Sequence, residues 1–110
     1  MDFDEYQKQA QQTVITNVDP LMDKTIWVLG ISGEASEIAE KWKKIIAYDA
    51  GEITEEKKAE LAKEMGDVLW YLAAFSESLG ISLQDVAEAN IKKVLSRKDR
   101  GVTKGRGDNR

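Results

Sequence analysis

Leu61-Ala62-Lys63-Glu64-Met65-Gly66-Asp67-Val68-Leu69-Trp70-Tyr71-Leu72 carries two patterns at once. Leu61, Met65, Val68 and Leu72 recur at steps of four, three and four, and Phe75 and Leu79 extend the series. That is the period of one helix face packed against another helix. Beside it runs a polar stripe, Glu60, Glu64, Asp67 and Tyr71, with two acids three residues apart. A helix so marked needs another apolar face to pack against.

The partner lies upstream. Trp27, Ile31, Ala35, Ile38, Trp42 and Ile45 form a second apolar seam, and Glu34, Glu37, Lys41 and Lys44 form the polar stripe beside it. Gly30 and Gly33 lie inside this helix, at a cost of about 1 kcal/mol each against Ala. Glycine there is best tolerated where a backbone or a ligand must come close.

The other elements follow from caps and turns. Asp2 or Asp4 can cap a first helix running to about Ile15, with Phe3, Tyr6, Ala10 and Val14 on its apolar side. Asn17 to Asp19 reads as a turn. Asp19-Pro20 or Asp23 opens the second helix, which runs to about Ala47. Residues 48–53 are a loop, and Thr54 caps the third helix with Glu55 and Glu56 in its first turn. Gly80 stops it. Ser82 with Asp85 resembles a capping box and opens a fourth helix to about Arg97. Trp42 and Phe75 are expected in the core, Trp27 in the core or an interface, and Trp70 against a dimer partner or a ligand. The fold class is all-α: a four-helix bundle over residues 1–97, with residues 98–110 as a flexible basic tail.

Composition narrows the chemistry. The chain has 110 residues, 42% apolar and 33% charged, with neither His nor Cys. Disulfides, thiol catalysis, structural zinc and His-based sites are excluded. Metal binding would use carboxylate oxygens, which suit magnesium, manganese or calcium. No run reaches the roughly 18 apolar residues of a membrane span, and the acidic N-terminus is unlike a signal peptide, so a cytoplasmic location is expected. Residues 1–96 hold 10 basic and 18 acidic side chains, residues 97–110 hold 6 and 2. An acidic body argues against nucleic acid as a partner. Arg106-Gly107-Asp108 reads as a chance tripeptide.

If the two apolar seams pack, Glu34, Glu37, Glu64 and Asp67 flank one groove. Like charges three residues apart repel by roughly 0.2–0.5 kcal/mol per pair on an isolated helix, and more when screening falls. A divalent cation reverses that sign. Lys41, Lys43 and Lys44 lie one to two turns along, suited to a polyphosphate. Lys93 and Arg97, one turn apart on the fourth helix, are candidates for an anion clamp. By pattern alone, a metal site and a solvated acidic face are both open readings.

The motifs resemble those of the MazG-like, all-α nucleoside triphosphate pyrophosphatases. The resemblance rests on Gly33-Glu34-Ala35-Ser36-Glu37-Ile38-Ala39-Glu40, on Lys63 through Leu72, and on Ala89-Asn90-Ile91-Lys92-Lys93, and it spans about residues 20–100. It implies a magnesium-dependent enzyme, with manganese as the substitute, that cuts a nucleoside triphosphate between the α and β phosphates. The products are a nucleoside monophosphate and pyrophosphate. It also implies Glu34, Glu37, Glu64 and Asp67 as catalytic metal ligands. Asn90 and Lys93 match the family's substrate-contacting pair, and Tyr71 matches a position facing the base in the dCTP-preferring branch. Lys41, Lys44 and Arg97 complete the expected substrate-binding set. Family members form an intimate dimer, often paired into a tetramer, so a homodimer or homotetramer is expected here. Many members have Glu where this chain has Gly33, and the dCTP-preferring branch has an aromatic where this chain has Lys44. The competing readings are a non-catalytic helical dimer that binds nucleotides or a protein partner, and a plain helical interaction domain.

Overall fold

The computed structural model describes residues 1–17 and 19–110, so Val18 in the expected turn lies outside the described residues. Four helices follow in order: α1 Phe3–Gln11, α2 Pro20–Tyr48, α3 Glu55–Ser78 and α4 Leu83–Asp99. There is no strand among the described residues.

Local chemistry sets the helix starts. Asp2, Asp19, Thr54 and Ser82 each accept a backbone N–H of the first turn, and Pro20 follows Asp19 where its missing N–H costs nothing. α1 stops short of the expected Ile15. Its last turn tightens as the Thr13 amide and hydroxyl both donate to the Ala10 carbonyl. α2 ends in a turn with Ala50 and Gly51 at positive φ. At the end of α3, Gly80 takes φ 68° and the Ile81 amide returns to the Ser76 carbonyl.

α2 and α3 form an antiparallel helical hairpin, pinned near its loop by Lys57 and Asp49 at 3.0 Å. α1 lies on α3 and on the start of α4, around Ala10, Ala73 and Leu83. Gln7 is buried there with its amide fully used. Its Nε2 donates to Glu77 Oε2 at 2.8 Å and to the Ile81 carbonyl at 2.9 Å, and its Oε1 accepts from the Leu83 amide at 2.7 Å. One side chain thus ties α1 to the α3–α4 turn.

The hairpin seam differs from the apolar pattern. On α2 the face toward α3 carries Trp27, Ile31, Glu34, Ile38, Lys41 and Ile45, all buried or half-buried, while Ala35 is exposed and Trp42 is 44% exposed. On α3 the corresponding face carries Leu61, Glu64, Val68 and Tyr71, and Met65 is exposed. The helix period is kept, but both faces are rotated by about one residue toward the acids. Trp42 therefore leaves the expected core. Trp70 belongs to this chain's own packing: it meets Trp27 edge-on at 5.6 Å and donates from Nε1 to Thr13 Oγ1 at 2.8 Å.

α4 touches α1 and α3 but not α2. The radius of gyration is 17.0 Å, against about 13 Å for a compact chain near this length. Leu29, Ile46, Ile91 and Leu95 are more than half exposed.

Candidate metal centre

The seam rotation puts acids where two helices meet. Glu34 on α2 and Glu64 and Asp67 on α3 each bring a carboxylate oxygen within 4.8 Å of the other two. Glu34 and Glu64 are half-buried, Asp67 is exposed, and the packing of α2 on α3 brings them together. Partial burial pushes the Glu34 carboxyl above its ordinary value of 4.5, and the hydrogen bond it shares with Glu64 pushes it further. The charges of Asp67, Glu64 and Glu37 act in the same direction.

Such a group lacks positive charge. Lys41, expected at the substrate, turns into the seam and reaches Glu64 Oε1 at 3.8 Å, a loose ion pair. Lys44 and Lys43 instead meet Glu40 on the outer face, at 3.9 and 3.1 Å. Glu37, one turn from Glu34, is exposed and outside the trio, though its charge is felt there. The donors are all oxygens, three carboxylates crowded against one loosely paired lysine, which fits a hard divalent cation.

Two neighbours frame the trio. Tyr71 lies one turn from Asp67 with its ring against Gly30, between Trp27 at 6.3 Å and Trp70 at 5.1 Å. Tyr6 of α1 reads in the sequence only as part of an apolar side. Burial raises its phenol pKa above 10.0, and the charge of Asp67 raises it further. No local pattern in the sequence places α1 beside Asp67, because tertiary packing makes that meeting.

The α4 residues form a second locus. Asn90 and Lys93 line a shallow cavity of about 360 Å³ with Val86 and Ala89, and none of the trio borders it. Arg97 is only 7% exposed and is engaged with the tail: its Nη2 donates to the Asp108 carbonyl at 2.8 Å and to Asp108 Oδ1 at 3.1 Å. Lys93 Nζ reaches the same oxygen at 3.3 Å. Hydrogen bonds from Arg97 and then Lys93 hold the Asp108 carboxyl below its ordinary range. The expected anion clamp on α4 thus holds this chain's own Asp108. Within the tail, Arg110 donates to the carbonyls of Val102, Thr103 and Gly107.

A family profile described as the MazG nucleotide pyrophosphohydrolase domain matches residues 23–102. The chain is 42% identical over 114 aligned residues to the Gene 37 protein of Mycobacterium phage L5, with the whole of both chains covered. No solved structure matches it.

Proposed function

The chain belongs to the MazG nucleotide pyrophosphohydrolase domain family, and on that footing we propose that it is a magnesium-dependent nucleoside triphosphate pyrophosphohydrolase. It cuts between the α and β phosphates and releases a nucleoside monophosphate and pyrophosphate. The observation that carries this reading is the gathering of Glu34, Glu64 and Asp67 from two helices within 4.8 Å.

Glu34, Glu64 and Asp67 would hold the ion, with Glu37 the fourth candidate ligand one turn away. A bound divalent ion supplies neutralisation of the triphosphate charge and lowers the pKa of a bound water. Lys41 balances Glu64 at the seam. Lys44 on the outer face, and Asn90 and Lys93 on α4, are the groups we assign to the substrate. Tyr71, packed with Trp27 and Trp70, forms the next layer of the seam one turn from Glu34 and Asp67. Arg97 serves the substrate indirectly, by fixing the tail against Lys93.

We also assign a homodimer, or a pair of dimers, acting in the cytoplasm on a nucleotide pool, with no nucleic acid or membrane partner. The apolar side chains left exposed on α2 and α4 and the extended shape support the oligomer. No helix among the described residues is long and apolar enough to cross a membrane.

The test is pyrophosphate release from a panel of canonical and damaged nucleoside triphosphates, with and without Mg²⁺. Release that needs the metal and is lost in Asp67→Asn at intact helicity is the expected result. No release from any substrate in the panel would favour the non-catalytic helical dimer.

A further inference from the structure

We propose that Gly30 is a positioning residue for the carboxylate site: its missing side chain sets how closely α2 and α3 approach beside Glu34, Glu64 and Asp67. This rests on reading that trio as a metal site.

The approach at Gly30 leaves no room for a side chain. A Cβ placed there would lie 2.6 Å from Tyr71 Cζ, with Tyr71 Cδ1 and Cε1 nearer still. The obstacle is an aromatic ring rather than the tip of a flexible chain. The ring is also hemmed in, by Trp27 on one side and edge-on by Trp70 at 88° on another. Trp70 is itself tied to Thr13 by the 2.8 Å hydrogen bond from its Nε1. A methyl at Gly30 must therefore either break this aromatic packing or push α3 away from α2.

The carboxylates lie one helical turn from that contact on both sides. Gly30 precedes Glu34 by four residues, and Tyr71 follows Asp67 by four. The ring on Gly30 and the acid trio are thus successive layers of one seam. Magnesium accepts ligands only near 2.0–2.1 Å, so a small widening of the seam removes one helix's oxygens from reach.

The other helical glycines near the site lack this role. At Gly33 and Gly66 nothing lies within 4 Å of the place a Cβ would take, so a methyl at either meets open space. Alanine is the better helix former at all three positions. Only at Gly30 does packing oppose propensity.

Two measurements test this on Gly30→Ala, Gly33→Ala, Tyr71→Ala and the double variant Gly30→Ala/Tyr71→Ala. The first is Mn²⁺ binding, followed by EPR. The second is the pulsed-EPR distance between nitroxides on Cys introduced at exposed Ser36 and Lys63, in a chain that has no other cysteine. Gly30→Ala is expected to weaken Mn²⁺ binding about tenfold or more and to lengthen the distance. Gly33→Ala is expected to match wild type. The double variant is expected to return to the level of Tyr71→Ala alone, because removing the ring relieves the clash. If Gly30→Ala does not fold, recovery of folding and Mn²⁺ binding in the double variant supports the proposal equally, and no recovery counts against it. Wild-type Mn²⁺ affinity and an unchanged distance in Gly30→Ala would overturn the proposal. If wild type itself binds no Mn²⁺, the metal reading fails, and the distance alone decides whether Gly30 sets the spacing.

Discussion

The α2–α3 hairpin and the α4 end of the molecule treat charge in opposite ways. In the hairpin, three carboxylates crowd one seam with a single loose lysine at 3.8 Å, and Glu34 is pushed toward its protonated form. At α4, two cations meet one carboxylate from the same chain, and Asp108 is held in its charged form. In the hairpin most of the charge has no opposite partner, whereas at α4 each charged group has one. Charge left over at a helix junction costs stability unless a ligand answers it, which supports the proposed ion site in the hairpin.

That contrast is broken most severely at the trio. Asp67→Asn and Glu64→Gln are expected to lower metal-dependent turnover by more than the roughly 100-fold typical of outer partners of a metal site. Lys93→Ala should raise KM by a smaller factor, measured under the same steady-state conditions. Equal losses at both regions would erase the distinction between a metal-holding hairpin and a substrate-facing α4.

Next in size is the metal's effect on stability. At about a hundred times its Kd, Mg²⁺ adds about 2.7 kcal/mol to the native state. Thermal melts should show that gain in wild type and lose it in Glu34→Gln. Arg97→Leu, which leaves the carboxylate trio untouched, should keep it.

The pH dependence separates the regions by sign. Glu34 has a raised folded-state pKa, so in metal-free protein it favours folding most below its unfolded value near 4.5. It becomes a liability as pH rises through the raised value. Glu34→Gln should therefore gain on wild type in melts taken from about pH 4 up to about pH 7 without divalent ions. Asp108 has a lowered pKa, so its contribution is present above 3.8 and lost as pH falls through the folded-state value. Asp108→Asn should cost most near neutrality. Because Asp108 is exposed, the effect should show in faster amide exchange of residues 100–110 rather than in the global melt.

The smallest effect expected lies at Gly66. Its Cβ position is open and its helix is regular, so Gly66→Ala should stabilise the protein by up to about 1 kcal/mol in denaturant unfolding. Destabilisation there would mean that the open side of α3 is covered in solution.

The helix starts are legible in the sequence because capping is local: Asp19, Thr54 and Ser82 act on amides two or three residues away. Both acid pairs are legible for the same reason. The register of the seam is not. Apolarity points to Ala35 and Trp42, whereas the packed face carries Glu34 and Lys41. Hydrophobic periodicity records that a side chain avoids water, not which neighbour covers it. A polar site built into a seam shifts the packed face away from the most apolar residues. The surroundings of Arg97 and Tyr6 are illegible because their partners, Asp108 and Asp67, lie on segments that only the fold brings near.

The most direct test of the central claim is a Mn²⁺ titration of wild type, of Glu34→Gln on α2, and of Glu64→Gln and Asp67→Asn on α3, with helicity checked in each. One ion site shared by the two helices predicts that a change on either helix weakens binding by a similar large factor. Wild-type affinity after breaking either helix's half would contradict it.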